Sequence, residues 1–582
     1  MCGIYGVINR KVRREQAMEC LDTMIHRGPD GFGLWQEDGV TLGHRRLAIL
    51  DLSSAGSQPM SYANERYWMT FNGEIYNFIE IREELQHKGY TFRGNSDSEV
   101  IMAAYCEWKE KCVDRFNGMW TFAIWDRQEK SLFLSRDRFG VKPLYYTEFP
   151  DGGFAFASEM KALLPLLEKV EPNKEMFDRY FADNHYESQP ECLIKGIKRF
   201  PAGSYAWIRN GKTEITRFWN TLDHLIEVPD TYEEQVEQFR ELFLDACKIR
   251  MRSDVTLGTG LSGGLDSSAT ICAMSYISRN CADERANKDW QHAYVACFPG
   301  TDLDETKYAK QVTDYLGIRH TFLTIDDAVP EREFLRQLYC FEELWGNPQV
   351  PMMELYKKER ELGTTVSLDG HAADELFAGY GFDVLKAYPD AKGKAEIDQI
   401  TMAYLNQRSE MGYDPSSAEF KRQRNKLYRD YMTKYYAKKL LGRADVSSAY
   451  ADHPNWKKLD NLNKVLFVST HETILPTLLR NYDRDSMASG VEIRMPFLDY
   501  RIVEFAFSIG WKSKLHGGFS KSIVRDACAD FMPHDIAYRR TKLGFNAPIL
   551  DWMRGPYRQF FEDTVADPAF ANCSLIVDAA GV

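Results

Sequence analysis

Residues 260–268 read Gly-Leu-Ser-Gly-Gly-Leu-Asp-Ser-Ser, after the extended run Val255-Thr256-Leu257 and before Ala269-Thr270-Ile271-Cys272-Ala273-Met274. Apolar and β-branched residues, a glycine pair, then small apolar residues predict a strand, a tight turn and a helix starting near Ala269. Gly263 and Gly264 let successive backbone N–H groups turn inward, and Ser262, Ser267 and Ser268 add hydroxyls. A helix N-terminus behind them supplies the positive end of its dipole, so Gly260 to Ser268 forms a cradle for an anion with several oxygens. Asp266 would repel a phosphate unless a cation stood between them, which implies Mg2+. The simpler alternative is a glycine–serine turn capped by Asp266 or Ser267. The run lacks the Gly-Lys-Ser/Thr ending of a Walker loop, which sets it apart from kinases and GTPases.

The chain around this loop has the size for several domains: 582 residues, 44% apolar and 13% aromatic. A formal charge of −12 disfavours nucleic acid as a partner, and basic clusters such as Lys11–Arg14 and Lys421–Arg424 are too short to change that. Twelve cysteines with no CxxC pair and twelve histidines with no HExxH suggest reduced, buried thiols and no zinc site. No apolar run reaches membrane-spanning length, and the N-terminal charges follow the apolar stretch, the reverse of a secretory signal. A cytoplasmic protein without a membrane partner is expected.

The chain starts Met1-Cys2-Gly3-Ile4-Tyr5-Gly6-Val7-Ile8. Removal of Met1 before a small residue would give Cys2 a free α-amine, so that nucleophile and base sit on one residue. A buried cysteine opening an edge strand is the alternative. Further on stand His26-Arg27-Gly28-Pro29-Asp30-Gly31, Gly43 to Asp51 with Arg46 and Ile49, Phe71-Asn72-Gly73-Glu74-Ile75-Tyr76-Asn77, and Asn95-Ser96-Asp97-Ser98-Glu99. Most place polar residues beside a short strand-like run, which is how loops present a site. Taken alone, Asn72-Gly73 also reads as a hairpin turn, and Arg46 and Asp97 as surface charges.

These segments, with Arg136 to Leu144, resemble the class II glutamine amidotransferases, and more narrowly the glutamine-hydrolysing asparagine synthetase family. SGGLDS likewise resembles the pyrophosphate loop of ATP pyrophosphatases. The resemblance implies two domains of mixed α/β structure. Residues 2–218 would form an Ntn-hydrolase αββα sandwich, and residues 231–582 an αβα parallel sheet of adenine-nucleotide α-hydrolase type with added helices. It implies Cys2 as the nucleophile, with Asn72 and the Gly73 N–H as the oxyanion hole. Arg46 would clamp the glutamine carboxylate, Ile49 would line the same pocket, and Glu74 and Asp97 would meet the amino group.

In the second half, Thr231-Tyr232-Glu233-Glu234 follows the weakly periodic NTLDHLIEVPD at 220–230 and predicts a helix start just past a domain boundary. Tyr294 to Gly300 reads as a buried strand ending in a turn, and the resemblance nominates Ala296 against the adenine. Val366-Ser367-Leu368-Asp369-Gly370-His371-Ala372-Ala373-Asp374-Glu375 is again strand, glycine loop and helix, the arrangement whose crevice binds ligands in open α/β sheets. Asp369 and Gly370 fall at the ATP site, and Asp374 pairs with Asp266 as the second Mg2+ carboxylate. His371 and Glu375 fall by the acceptor. The best-known pattern of the family has Ser-Gly-Glu-Gly-Ser-Asp-Glu here, so Asp369 and His371 depart from it. His371 is either a general base or a polar filler. Lys521, in Ser520-Lys521-Ser522-Ile523-Val524-Arg525, matches the lysine that meets the ATP phosphates. Asp483 to Asp499 and Arg539 to Pro548 complete the likeness, with Arg484 and Arg494 shaping the site.

The expected activity is ATP-dependent amidation of a carboxylate with ammonia from glutamine, through an acyl-adenylate, with L-aspartate as the default acceptor. Alternatives are a sugar uronate, a cell-wall diamino acid or another biosynthetic acid, β-lactam formation, or a non-catalytic scaffold. A homodimer and an apolar ammonia tunnel at the domain interface are further expectations.

Overall fold

The computed structural model describes residues 2–183, 187, 189–281, 285–325, 331–344, 350–542 and 548–573. Leu543 to Ala547, within the stretch matched above, lie outside the described residues.

The first half is built from two six-stranded antiparallel sheets. The strand Gly3–Ile8 lies inside the first sheet, between Val40–Arg46 and Phe154–Ala157. Its alternation explains both faces: Ile4 and Ile8 point into the space between the sheets, whereas Tyr5 and Val7 pack under the helix Arg14–Asp22. The second sheet centres on Gly118–Asp126 and Ser131–Arg136, with Tyr67–Ile75 beside the former. One of its faces contributes Ala123, Trp125, Leu132 and Leu134 to the inter-sheet core, and the other packs on the helices Phe78–His87 and Asp97–Trp108. The result is helix, sheet, sheet, helix, as expected. Asn72-Gly73 is no hairpin turn: it lies within a strand, opposite Thr121 and Trp120.

The helix predicted after the linker runs from Tyr232 to Arg250, with the Thr231 hydroxyl accepting from the Glu234 N–H. It leads to a five-stranded parallel sheet in the order Arg319–Thr324, His292–Cys297, Leu257–Gly260, Val366–Leu368, Glu492–Arg494. The strand order reverses between Leu257–Gly260 and Val366–Leu368, so the crevice opens at their carboxyl ends. The loop at 260–268 is tighter than its sequence predicts. The strand covers Leu257–Gly260 instead of Val255–Leu257, and the helix starts at Leu265, with Gly264 as its N-cap in place of Asp266 or Ser267. Gly263 makes this possible, at φ +79°, where a Cβ would lie 2.4 Å from the Ala309 backbone nitrogen. Asp266, Ser267 and Ser268 therefore stand in the first helical turn. No helix among the described residues is long and apolar enough to cross a membrane.

Candidate functional site

Cys2 immediately precedes the first strand and is buried against Leu47, whose backbone nitrogen lies 3.5 Å from the sulfur. Its backbone nitrogen donates to Asn72 Oδ1 at 2.8 Å. Strand alternation sends Phe71 into the helical core and Asn72 to the opposite face, which brings the two sheets' residues together. Asn72 is fully buried, and its Nδ2 has no partner among the described residues, so an amide donor stands beside the thiol without an acceptor. Gly73 has φ +149°, and a Cβ there would lie 2.1 Å from the Met119 carbonyl oxygen, so only glycine fits. Burial pushes the Cys2 thiol up.

Arg46 is half-buried and donates to the backbone carbonyls of Ser53 and Asp51. Ile49 is buried, and its carbonyl accepts from Asp254 across the domain boundary. Glu74 and Asp97 are both buried, so neither is a surface charge. Burial, then the nearness of Asp97 and Glu492, raises Glu74 well above the carboxylate range. Burial likewise pushes Asp97 up to about 7, although Ile75 N–H donates to it at 2.9 Å.

The two domains meet directly behind Cys2. Arg27 is fully buried and donates from Nε to the Cys2 carbonyl at 3.1 Å. Its other nitrogens make a fork to Asp483, at 2.7 and 2.9 Å, and reach Glu159 at 3.0 Å. Arg484 reaches Glu159 and Glu342, each at 2.8 Å. Arg494 reaches Glu492 at 2.7 Å and lies 3.7 Å from Glu74. The seam beside the nucleophile is thus ionic, while Ile75 and Tyr76 share one apolar cluster with Val491, Ile493 and Met495.

The crevice of the parallel sheet holds a cavity of about 680 Å3. Gly260, Leu261, Ser262, Gly264, Asp266, Ser267, Ala296, Asp369, Gly370, His371, Asp374, Glu375 and Lys521 all line it. Gly263 does not, because it packs on the helix Thr306–Leu316. Lys521 Nζ lies 2.5 Å from both Asp266 and Asp374, and Lys542 also pairs with Asp374. Against the effect of burial, Lys521 and Lys542 hold Asp374 far below the usual carboxylate range. Lys521 itself has φ +54° at the start of the helix Ser522–Cys528, a costly backbone state that directs it inward.

Asp369 lines the cavity with both oxygens already engaged: Gly260 N–H donates to it at 3.0 Å, the Ser367 hydroxyl at 2.8 Å and the Tyr356 hydroxyl at 2.7 Å. These bonds tie the loop after Val366–Leu368 to the end of Leu257–Gly260. Glu375 is buried and accepts from the Tyr380 hydroxyl at 2.5 Å.

Sequence reasoning gave no role to Lys542, Tyr482, Arg27 or Glu492. Arg27, Lys542 and Glu492 lie in quoted motifs and Tyr482 just before one, but Arg27, Lys542 and Tyr482 meet residues more than a hundred positions away and Glu492 comes near Glu74 of the other domain, which no local pattern announces. Among the described residues no group of three or more His, Cys, Asp or Glu could hold a metal by itself. Asp266 and Asp374 nonetheless suit Mg2+, a hard cation that takes one or two carboxylates and completes its shell with water and phosphate. The buried Asp266 Oδ1 has no partner among the described residues, which leaves it available to such an ion.

The sequence matches the family model described as Glutamine amidotransferase domain over residues 1–219 and the one described as Asparagine synthase over residues 238–581. It is 30% identical to Asparagine synthetase [glutamine-hydrolyzing] 1 of Bacillus subtilis, covering 97% of this chain and 90% of that protein. With Asparagine synthetase [glutamine-hydrolyzing] 3 of the same organism it shares 32% identity over 93% of this chain and 86% of that one. With Asparagine synthetase B [glutamine-hydrolyzing] of Escherichia coli the identity is 28% over 93% and 81%. With an amide that has no partner among the described residues beside the buried Cys2 thiol in one half and a lysine-bridged cavity at a sheet crevice in the other, the chain belongs to the asparagine synthase family, the glutamine-hydrolysing, ATP-dependent amide ligases.

Proposed function

We propose that this chain converts L-aspartate to L-asparagine by way of an aspartyl-adenylate, releasing AMP and pyrophosphate, with ammonia taken from glutamine. The observation that carries the first half is the buried Asn72 Nδ2, which has no partner among the described residues and lies on the side chain that holds the Cys2 nitrogen. Once Met1 is removed, the Cys2 amine accepts the thiol proton while sulfur attacks the glutamine amide carbon. The Asn72 amide and the Gly73 N–H stabilise the oxyanion, usually the largest single catalytic contribution at such a site. Arg46 binds the substrate carboxylate, and Glu74 and Asp97 its ammonium group. Ammonia then crosses the seam at Arg27 and Arg494, shielded from water because protonation would end its nucleophilicity.

In the second half the loop 260–267 cradles ATP, Ala296 lies by the adenine, and Lys521 meets the charge that develops on the departing pyrophosphate. Asp266 and Asp374 would hold Mg2+, which when bound offsets the negative charge of the phosphates. The acceptor carboxylate lies by Glu375 and His371.

The test is glutamine-dependent pyrophosphate release with a panel of carboxylic acids. L-aspartate should support it, and Cys2→Ala should remove release driven by glutamine while keeping release driven by ammonium salts. Activity confined to a uronate or a diamino acid would reassign the acceptor, and silence with every acid would favour a scaffold.

The pH dependence has a definite sign. Asp97 titrates near 4 in an unfolded chain and at about 7 in the fold, chiefly through burial. Its contribution to stability is present below pH 4 and is lost as pH rises through 7. Glutamine needs the ionised form to hold its ammonium, so the KM for glutamine should rise by up to about tenfold per unit as pH falls below 7. Steady-state kinetics from pH 5.5 to 8.5 check this, and a flat KM would remove Asp97 from the pocket.

A further inference from the structure

We propose that His371, oriented by Asp369 and stacked on Tyr482, is the base that takes a proton from ammonia as it joins the activated acceptor. This rests on the ligase reading above. The ring sits on the loop at the carboxyl end of Val366–Leu368 and lines the same cavity as Lys521. Its centroid is 3.7 Å from that of Tyr482, with 17° between the planes, so its tilt is set by a residue of the helix Ile474–Met487. Nε2 is buried, 3.5 Å from Asp369 Oδ2, and has no closer partner among the described residues. Asp369 cannot turn away, because Gly260, Ser367 and Tyr356 all donate to it. One ring nitrogen therefore faces a fixed carboxylate, which sets the tautomer, and the other is left as an acceptor. The side chain is 19% exposed, all of it on a residue that borders the cavity.

The chemistry calls for such a group. Ammonia's lone pair forms the new N–C bond, the C–O bond to AMP breaks with its electron pair on the phosphate oxygen, and the nitrogen carries one proton too many for a neutral amide. That proton passes to the free nitrogen of His371. The carboxylates around the cavity suit the task poorly: Asp266 and Asp374 share Lys521, Glu305 is paired with Arg539 at 2.6 Å, and Glu375 accepts from Tyr380.

His371→Asn and His371→Gln, in the full-length enzyme, separate this role from its rivals. Three rates are read: acceptor-dependent ATP–pyrophosphate exchange, amide formation from ammonia, and hydroxamate formation from hydroxylamine. The expected result is exchange within about threefold of the parent and amide formation lower by about 10^2, the usual contribution of a positioned base. AMP should appear in excess of amide as stranded adenylate hydrolyses. Hydroxylamine, a less basic nitrogen that sheds its proton to water more readily, should lose much less. Exchange lost in parallel with amide formation would make His371 a binding residue and overturn the proposal, as would amide formation at the parental rate. Retained exchange also reports that the variants fold. If the parent itself shows no exchange with any acid, the ligase reading fails first and takes the proposal with it.

Discussion

Lys521→Met is expected to lower acceptor-dependent pyrophosphate release by about 10^3, the cost typical of removing one preorganised group from a developing oxyanion. Glutamine hydrolysis at Cys2 should be little changed. The side chain is buried, with Asp266 and Asp374 each 2.5 Å from its ammonium, so its removal leaves two carboxylates facing each other with Lys542 as the remaining cation on Asp374. Uncompensated charge of this kind destabilises by about 3–5 kcal/mol. Added Mg2+ should therefore raise the melting temperature more in the variant than in the parent, where the ion must compete with the lysine ammonium. Pyrophosphate release at the parental rate would show that Lys521 only neutralises the acids. An equal response to Mg2+ in both proteins would argue against a site made by Asp266 and Asp374.

Arg27→Met should uncouple the two halves. Arg27 joins the Cys2 carbonyl, Glu159 and the Asp483 fork, all buried, and Asp483 follows Tyr482, the residue on which His371 stacks. One side chain thus ties the nucleophile's backbone to a helix that borders the ATP cavity. Methionine keeps some bulk but leaves Asp483 and Glu159 with Arg484 and their other neighbours alone, at a cost of about 3–5 kcal/mol to the domain contact. The measurement is the ratio of glutamate formed to pyrophosphate released. It should climb several-fold above the parental value as ammonia escapes, while synthesis from ammonium salts stays within a fewfold. An unchanged ratio would mean that the seam is held elsewhere, for example by Arg494 with Glu74 or by Asn117 with Asp499.

Much of the site was legible because its elements are local. A strand, glycines and a helix start must follow one another in the chain to cradle an anion, so residues 260–268 and 366–375 carried their own meaning. The same holds for Thr231-x-x-Glu234, whose capping bond spans three residues. The alternatives left open locally were resolved by pairing partners far along the chain. Asn72-Gly73 has the composition of a turn, yet Thr121 and Trp120 stand opposite and make it strand. The strand and helix around 260–268 shifted by a few residues because Gly263 packs on Ala309, a contact that no local propensity contains.

What the sequence alone determined was the set of chemical groups and their local frames: a thiol next to the chain start, two glycine loops after parallel strands, and a lysine opening a helix. Which charges meet was decided only by the tertiary structure. Arg27 finds Asp483, Lys521 bridges Asp266 and Asp374, and Asp369 spends its oxygens on Gly260, Ser367 and Tyr356. The reason is physical: a buried charge is tolerable only beside a partner, and in this protein those partners come from segments that are neighbours in space while up to 456 positions apart in the chain.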